Sequence, residues 1–131
     1  MITTCEEFVP RYELLLKSEF SAAHQLRLAD GTLEPLHGHN WRVEVYVDGD
    51  RLDQIDVVAD FTVLQPQLRE ITGCLHDTFL NQLESFAKSN PSTELVAKHI
   101  HDQFAPKLPS HIKIRRVRVW ETRDCAAAYI P

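Results

Sequence analysis

The segment His37-Gly38-His39 runs without a break into Asn40-Trp41-Arg42-Val43-Glu44-Val45-Tyr46-Val47, where apolar and polar residues alternate. Alternation with a period of two marks a half-buried strand and fixes which side chains share a face. Residues two apart in an extended chain point the same way, so His37 and His39 can converge on one ion. A third histidine, His24, closes an earlier strand-like run from Tyr12, rich in Leu and Phe. Antiparallel pairing of the two runs would carry His24 back beside the other two. Three neutral imidazoles with one open position describe a catalytic rather than a structural zinc site. The pattern therefore predicts a zinc centre of His24, His37 and His39 built on a pair of strands.

The remaining elements follow from punctuation and periodicity. Gln25 to Leu36 holds Asp30-Gly31 and Pro35 and reads as a turn-rich loop. A second strand is expected over Asn40 to Asp48, with Ile55 to Ala59 either extending the hairpin or opening the crossover. Asp60 stands where a helix N-cap belongs, ahead of Val63, Leu64, Leu68 and Ile71 at helical spacing. Pro66 fits such a helix in or near its first turn. Ser92 or Thr93 caps a second helix carrying Leu95, Val96, Ile100 and Phe104, and Pro106 stops it. Ile112 to Glu121 reads as a third strand whose apolar phase slips between Ile114 and Val117, which predicts a bulge near Arg115-Arg116. Ala126 to Ile130 makes a short last strand. Two strands, two helices and two strands predict one α+β domain over residues 1–131, with helices on one face of an antiparallel sheet.

Composition narrows the partners. A chain of 131 residues suits one domain with one core. A formal net charge of −5 argues against a dedicated nucleic-acid binder. The basic residues between Lys113 and Arg118 alternate with apolar ones and read as a strand face. No run approaches the roughly 20 apolar residues a membrane span needs. Glu6, Glu7 and Pro10 stand where a secretory leader would be apolar. Cys5, Cys74 and Cys125 are odd in number and far apart, which predicts a reducing, cytoplasmic setting without a disulfide scaffold. Cys74 reads as core packing near a helix end.

The ordered strings Phe20-Ser21-Ala22-Ala23-His24, Leu36-His37-Gly38-His39-Asn40, Val58-Ala59-Asp60-Phe61, Phe79-Leu80-Asn81, Pro91-Ser92-Thr93-Glu94 and Trp120-Glu121-Thr122 cover nearly the whole chain. Together they resemble the 6-pyruvoyl tetrahydropterin synthase and 6-carboxytetrahydropterin synthase family. The resemblance implies a T-fold, in which ββααββ subunits join into barrels, usually as a homohexamer of two trimers. It implies a zinc-dependent lyase acting on the side chain of 7,8-dihydroneopterin triphosphate or a related dihydropterin, with active sites at subunit interfaces. Zinc would serve as the Lewis acid for the vicinal hydroxyls of that side chain. Glu121 would anchor the pterin ring, with Thr122 beside it, because a carboxylate accepts two parallel hydrogen bonds from the exocyclic amine and the adjacent ring N–H. Glu94 and Asp60 read instead as structural groups at helix starts.

Two departures from the family pattern bear on the reaction. The nucleophilic cysteine expected four residues before His37 is replaced by Leu33. Glu34 follows it and creates an ExxHGH pattern, which resembles the branch that forms 6-hydroxymethyl-dihydropterin. Glu34 is then the candidate general base. The Asp-His pair that normally precedes Leu80-Asn81 is reversed to His76-Asp77, a second candidate for proton transfer. Two other readings remain: a non-catalytic pterin-binding T-fold, and a cupin-like metal protein using His37, His39 and Glu44 in an all-β barrel. The cupin reading suffers from Glu44 sharing the face of Arg42 and not that of the histidines.

Overall fold

The computed structural model describes residues 10–131, so Cys5, Glu6 and Glu7 lie outside the described residues. Tyr12–His24 forms strand β1 and His37–Gly49 forms β2. They pair antiparallel in unbroken register, from Tyr12 opposite Gly49 to His24 opposite His37. β2 starts at His37 rather than at Asn40, so the histidine pair lies within the strand. Leu16, Phe20, Ala22 and His24 of β1 are buried on the same face as Trp41, Val43, Val45 and Val47 of β2. That is the period-two pattern at work.

Ile55 to Ala59 adds no strand. The Asp53 carboxylate accepts the N–H of Ile55 and that of Val57, folding the segment into turns before helix α1, Phe61–Leu75. Asp60 caps α1 by accepting the Thr62 N–H at 2.8 Å. The helix buries Leu64, Leu68, Ile71, Thr72 and Leu75. Three expectations are corrected here. Val63 is exposed, since it falls one residue before Leu64 and outside the buried stripe. Pro66 lies inside the helix and not in its first turn. Its exposed position spares it a clash with the core, while Gln65 beside it donates to the Lys17 carbonyl at 2.6 Å and ties the helix to β1. Cys74 is exposed rather than packed in the core.

Thr78–Phe79 forms a short strand, β3, parallel to Ala22 and Ala23 of β1. Ser92 caps helix α2, Thr93–Phe104, which buries Val96, Ala97, Ile100 and Phe104 and passes into a 3-10 turn containing Pro106. Lys113–Trp120 is β4 and Ala126–Tyr129 is β5. Tyr46 faces Arg116 while Val47 faces Ile114, leaving Arg115 as the extra residue of the expected bulge. The sheet runs β3-β1-β2-β4-β5. Both helices pack on one face, around a core whose largest buried members include Trp41, Phe20, Phe104, Leu68 and Ile100. Each such side chain contributes about 1.5–3 kcal/mol on leaving water. Two helices on a five-stranded sheet rule out the all-β barrel. Glu44 lies on the opposite face, accepting hydrogen bonds from Tyr46 and Trp120.

Candidate metal centre

The strand register brings the three histidines together at one end of the sheet. His24 and His37 are cross-strand partners, and His39 follows two residues along β2 on the same face. Trp41, fully buried, forms the floor: its ring centroid lies 4.8 Å from that of His24 and 5.4 Å from that of His39. The indole N–H donates to the Ala22 carbonyl at 3.1 Å. Glu121 arrives from the end of β4, following the buried Val117 and Val119 at strand alternation. One ligand atom from each of His24, His37, His39 and Glu121 falls within 4.8 Å of every other.

The outer nitrogens decide what these rings offer. His24 Nδ1 lies 2.8 Å from the Pro91 carbonyl, and His37 Nδ1 lies 2.8 Å from the Pro35 carbonyl. A carbonyl only accepts, so each Nδ1 carries the proton and each Nε2 of a neutral ring presents a bare lone pair. Those two Nε2 atoms are 3.0 Å apart. His39 Nε2 is buried without a hydrogen-bond partner, although it lies 2.9 Å from Glu121 Oε1, because that contact lacks hydrogen-bond alignment. Converging lone pairs beside a carboxylate could hold a cation, and backbone carbonyls on the outer nitrogens are how ligating histidines are oriented. The donor set thus fits a divalent metal of the zinc type.

Burial pushes the His39 pKa down, opposed by Glu121 and reinforced by His24 and His37, so the ring is neutral and able to ligate. For Glu121, burial acts upward. It is outweighed by the Thr93 hydrogen bond and by His24 and His39, which hold the carboxyl below its ordinary value. Thr93 Oγ donates to Glu121 Oε2 at 2.9 Å, and Oε1 lies 3.1 Å from His24 Nε2. The sequence offered Thr93 only as an alternative to Ser92 in capping the second helix and as part of the family string, with no role at this site.

Glu34 Oε1 lies 4.0 Å from His37 Nε2 and accepts the Leu26 N–H at 2.9 Å. Leu33 bridges Arg27 and lines a cleft of about 730 Å³ with Leu28, Phe79 and Phe86, apart from the histidines. Neighbours in an extended segment point to opposite sides, so Glu34 and Leu33 cannot both face the cluster. Thr122 is exposed just beyond β4, its N–H directed to the Cys125 carbonyl.

His76 and Asp77 follow α1 and stand outside the cluster. His76 Nδ1 accepts the Ser21 N–H at 3.0 Å, which leaves its proton on Nε2, 3.4 Å from Asp77 Oδ2. Asp77 has a left-handed backbone with φ 57°, and its N–H donates to the Ser21 carbonyl at 2.7 Å. Asp77 lines a shallow cleft that His39, Asn40 and Ser21 also border.

The fold and the metal-ready histidines define a small α+β protein of the tetrahydropterin-synthase type. The profile of the 6-pyruvoyl tetrahydropterin synthase family matches residues 13–131, and the chain belongs to that family. It is 30% identical over 111 residues to a dihydroneopterin monophosphate aldolase of Pyrococcus furiosus, covering 85% of this chain and 90% of that one. It is 35% identical over 116 residues to a 6-carboxy-5,6,7,8-tetrahydropterin synthase of a Synechocystis species, covering 84% and 86%. The structure of Caenorhabditis elegans 6-pyruvoyl tetrahydropterin synthase superimposes with a TM-score of 0.80 at 21% identity, covering 94% of this chain and 97% of that one. The T-fold is therefore the observed architecture. Among the described residues no helix is long and apolar enough to cross a membrane.

Proposed function

We propose that this chain is a zinc-dependent carbon–carbon lyase that cleaves the side chain of a phosphorylated 7,8-dihydroneopterin to leave a 6-hydroxymethyl-dihydropterin. The observation that carries the reading is the pairing of Glu34 near His37 with Leu33 turned into a separate cleft. A carboxylate, and no thiol, is thereby the group available as a base in that loop. The aldolase of Pyrococcus furiosus, similar along most of its length, supports the same reaction type. Zinc held by His24, His37 and His39 would supply Lewis acidity toward the side-chain hydroxyls.

The chain's own residues would do the rest. Glu121 accepts the paired N–H groups of the pterin ring and sets its orientation, with Thr93 steadying the carboxylate and Thr122 at the rim. Glu34, fixed through Oε1, takes the proton of the hydroxyl one carbon further from the ring. The bond between the two carbinol carbons breaks, leaving an aldehyde fragment that carries the phosphate. The electron pair enters the ring system, and a proton returns to the ring-attached carbon. We assign that return to the His76-Asp77 pair, whose Nε2 proton lies toward Asp77.

We further propose a cytoplasmic homohexamer of two trimers. β3 covers β1 only at Ala22 and Ala23, and the outer edge of β5 and the sheet face opposite the helices are uncovered among the described residues, as joining subunits into a barrel would require. The deciding experiment incubates zinc-loaded protein with dihydroneopterin monophosphate and, separately, the triphosphate, and identifies products by mass. A 6-hydroxymethyl-dihydropterin is expected. A 6-carboxytetrahydropterin or 6-pyruvoyl product would replace the aldolase reading with a synthase one, and tight pterin binding without turnover would make the chain a non-catalytic binder.

A further inference from the structure

The loop after β1 is held by two asparagines from elsewhere in the chain. Asn81 Oδ1 accepts the Gln25 N–H at 3.0 Å, and its Nδ2 donates to the Gln25 carbonyl at 2.7 Å. Asn90 repeats the arrangement on Arg27, with its Oδ1 accepting at 2.8 Å and its Nδ2 donating at 3.0 Å. Between them Leu26 turns the other way: its N–H donates to Glu34 Oε1 at 2.9 Å, and its carbonyl accepts the Glu34 N–H at 2.9 Å. Alternate residues of an extended chain present their backbone groups to opposite sides. The two carboxamides therefore act as a substitute strand on one side of residues 25–27, and Glu34 occupies the other.

We propose that Asn81 and Asn90 are positioning residues that hold the Glu34 carboxylate at the metal centre through the backbone of residues 25–27. The device is anchored at both ends. His24 directly precedes the clamped segment and bonds the Pro91 carbonyl, while Asn90 directly precedes Pro91. One short stretch thus fixes a candidate ligand and, two residues on, the N–H that holds the base. A side-chain amide satisfies a backbone donor and acceptor together only in a narrow range of positions, so it transmits placement as well as stability. This inference rests on the reading of Glu34 as the base.

The test compares Asn81→Ala and Asn90→Ala, each alone and combined with Glu34→Gln, with the near-isosteric Asn90→Asp as a second variant that adds no cavity. In the Glu34 background, kcat should fall on the order of ten- to a hundredfold, with KM and zinc content unchanged. Amide exchange across residues 25–36 should accelerate. Combined with Glu34→Gln, the asparagine changes should lower kcat no further, because both act through one carboxylate. Asn90→Asp keeps an acceptor for the Arg27 N–H but sets an oxygen against the Arg27 carbonyl, so it should resemble the alanine variant. An undiminished kcat with accelerated exchange, or an equal loss of kcat in the Glu34→Gln background, overturns the clamp and leaves Glu34 as the base. A fully active Glu34→Gln enzyme overturns the base itself and the clamp with it.

Discussion

His24 Nε2 and His37 Nε2 face each other at 3.0 Å, and neither neutral ring has a proton to place between them, because both Nδ1 protons point to proline carbonyls. A metal ion that takes up both lone pairs would relieve the conflict, and this sets the first prediction.

Purified protein should hold about one zinc per chain, since an open site uses three protein ligands. His37→Ala combined with His39→Ala should abolish retention, as measured by metal analysis. Free zinc at about a hundredfold over its Kd should raise stability by about 2.7 kcal/mol, seen as a rise in Tm that a chelator reverses. A Tm indifferent to both zinc and chelator would remove the metal from this site.

Glu34→Gln should lower kcat by about 10²–10⁴-fold while zinc content and pterin affinity persist, the usual range for loss of a general base. Leu33→Cys should leave the product unchanged in mass analysis, because residue 33 lines the cleft with Leu28 and Phe86. Synthase product from that variant would mean that the loop turns over during catalysis.

Glu121 separates two roles by which quantity its loss affects. As a pterin anchor, Glu121→Gln should weaken pterin binding by about 1–3 kcal/mol with zinc content intact, since an amide N–H would confront ring N–H groups. Thr93→Val, which removes the donor to Oε2, should act in the same direction and less strongly. Loss of zinc on Glu121→Gln would make this carboxylate a fourth ligand instead.

Asp48 supplies a pH test away from the site. The Arg11 hydrogen bond, against the upward pull of burial and joined by Arg115, holds its carboxyl below the ordinary value. The folded pKa is thus depressed relative to the unfolded chain. The stabilisation is present above the unfolded carboxylate range and is lost as pH falls through the folded value. Asp48→Asn should cost about 1 kcal/mol near neutrality. Chemical denaturation should find that difference shrinking in acid; a constant difference would assign the effect to packing.

Much of this molecule was legible in its sequence, for physical reasons that also explain what was not. The hairpin, its two faces and the histidine cluster follow from alternation, which burial enforces residue by residue from Leu16 to Val47. The bulge was visible because Arg115 breaks the phase of β4. Helix-cap chemistry marked Asp60 and Ser92. Strand β3 was missed because two residues have no period, and its partner is parallel and remote. Pro66 misled because the rule against interior proline weighs a lost hydrogen bond but knows nothing of how well Leu64 and Leu68 pack on either side. The clamp by Asn81 and Asn90 left no local pattern, since its partners lie 56 and 63 residues away.

The unbroken register between β1 and β2 also bears on how the chain folds. Sliding one strand by a single residue would turn His37 and His39 to the far side of the sheet and leave His24 alone. A mispaired hairpin would then be blind to the ion, and the free energy of metal capture would accrue to one pairing out of the several that the Val-rich strands could adopt. Metal present during folding would act as a proofreader of strand alignment, selecting the correct hairpin before the helices close over it.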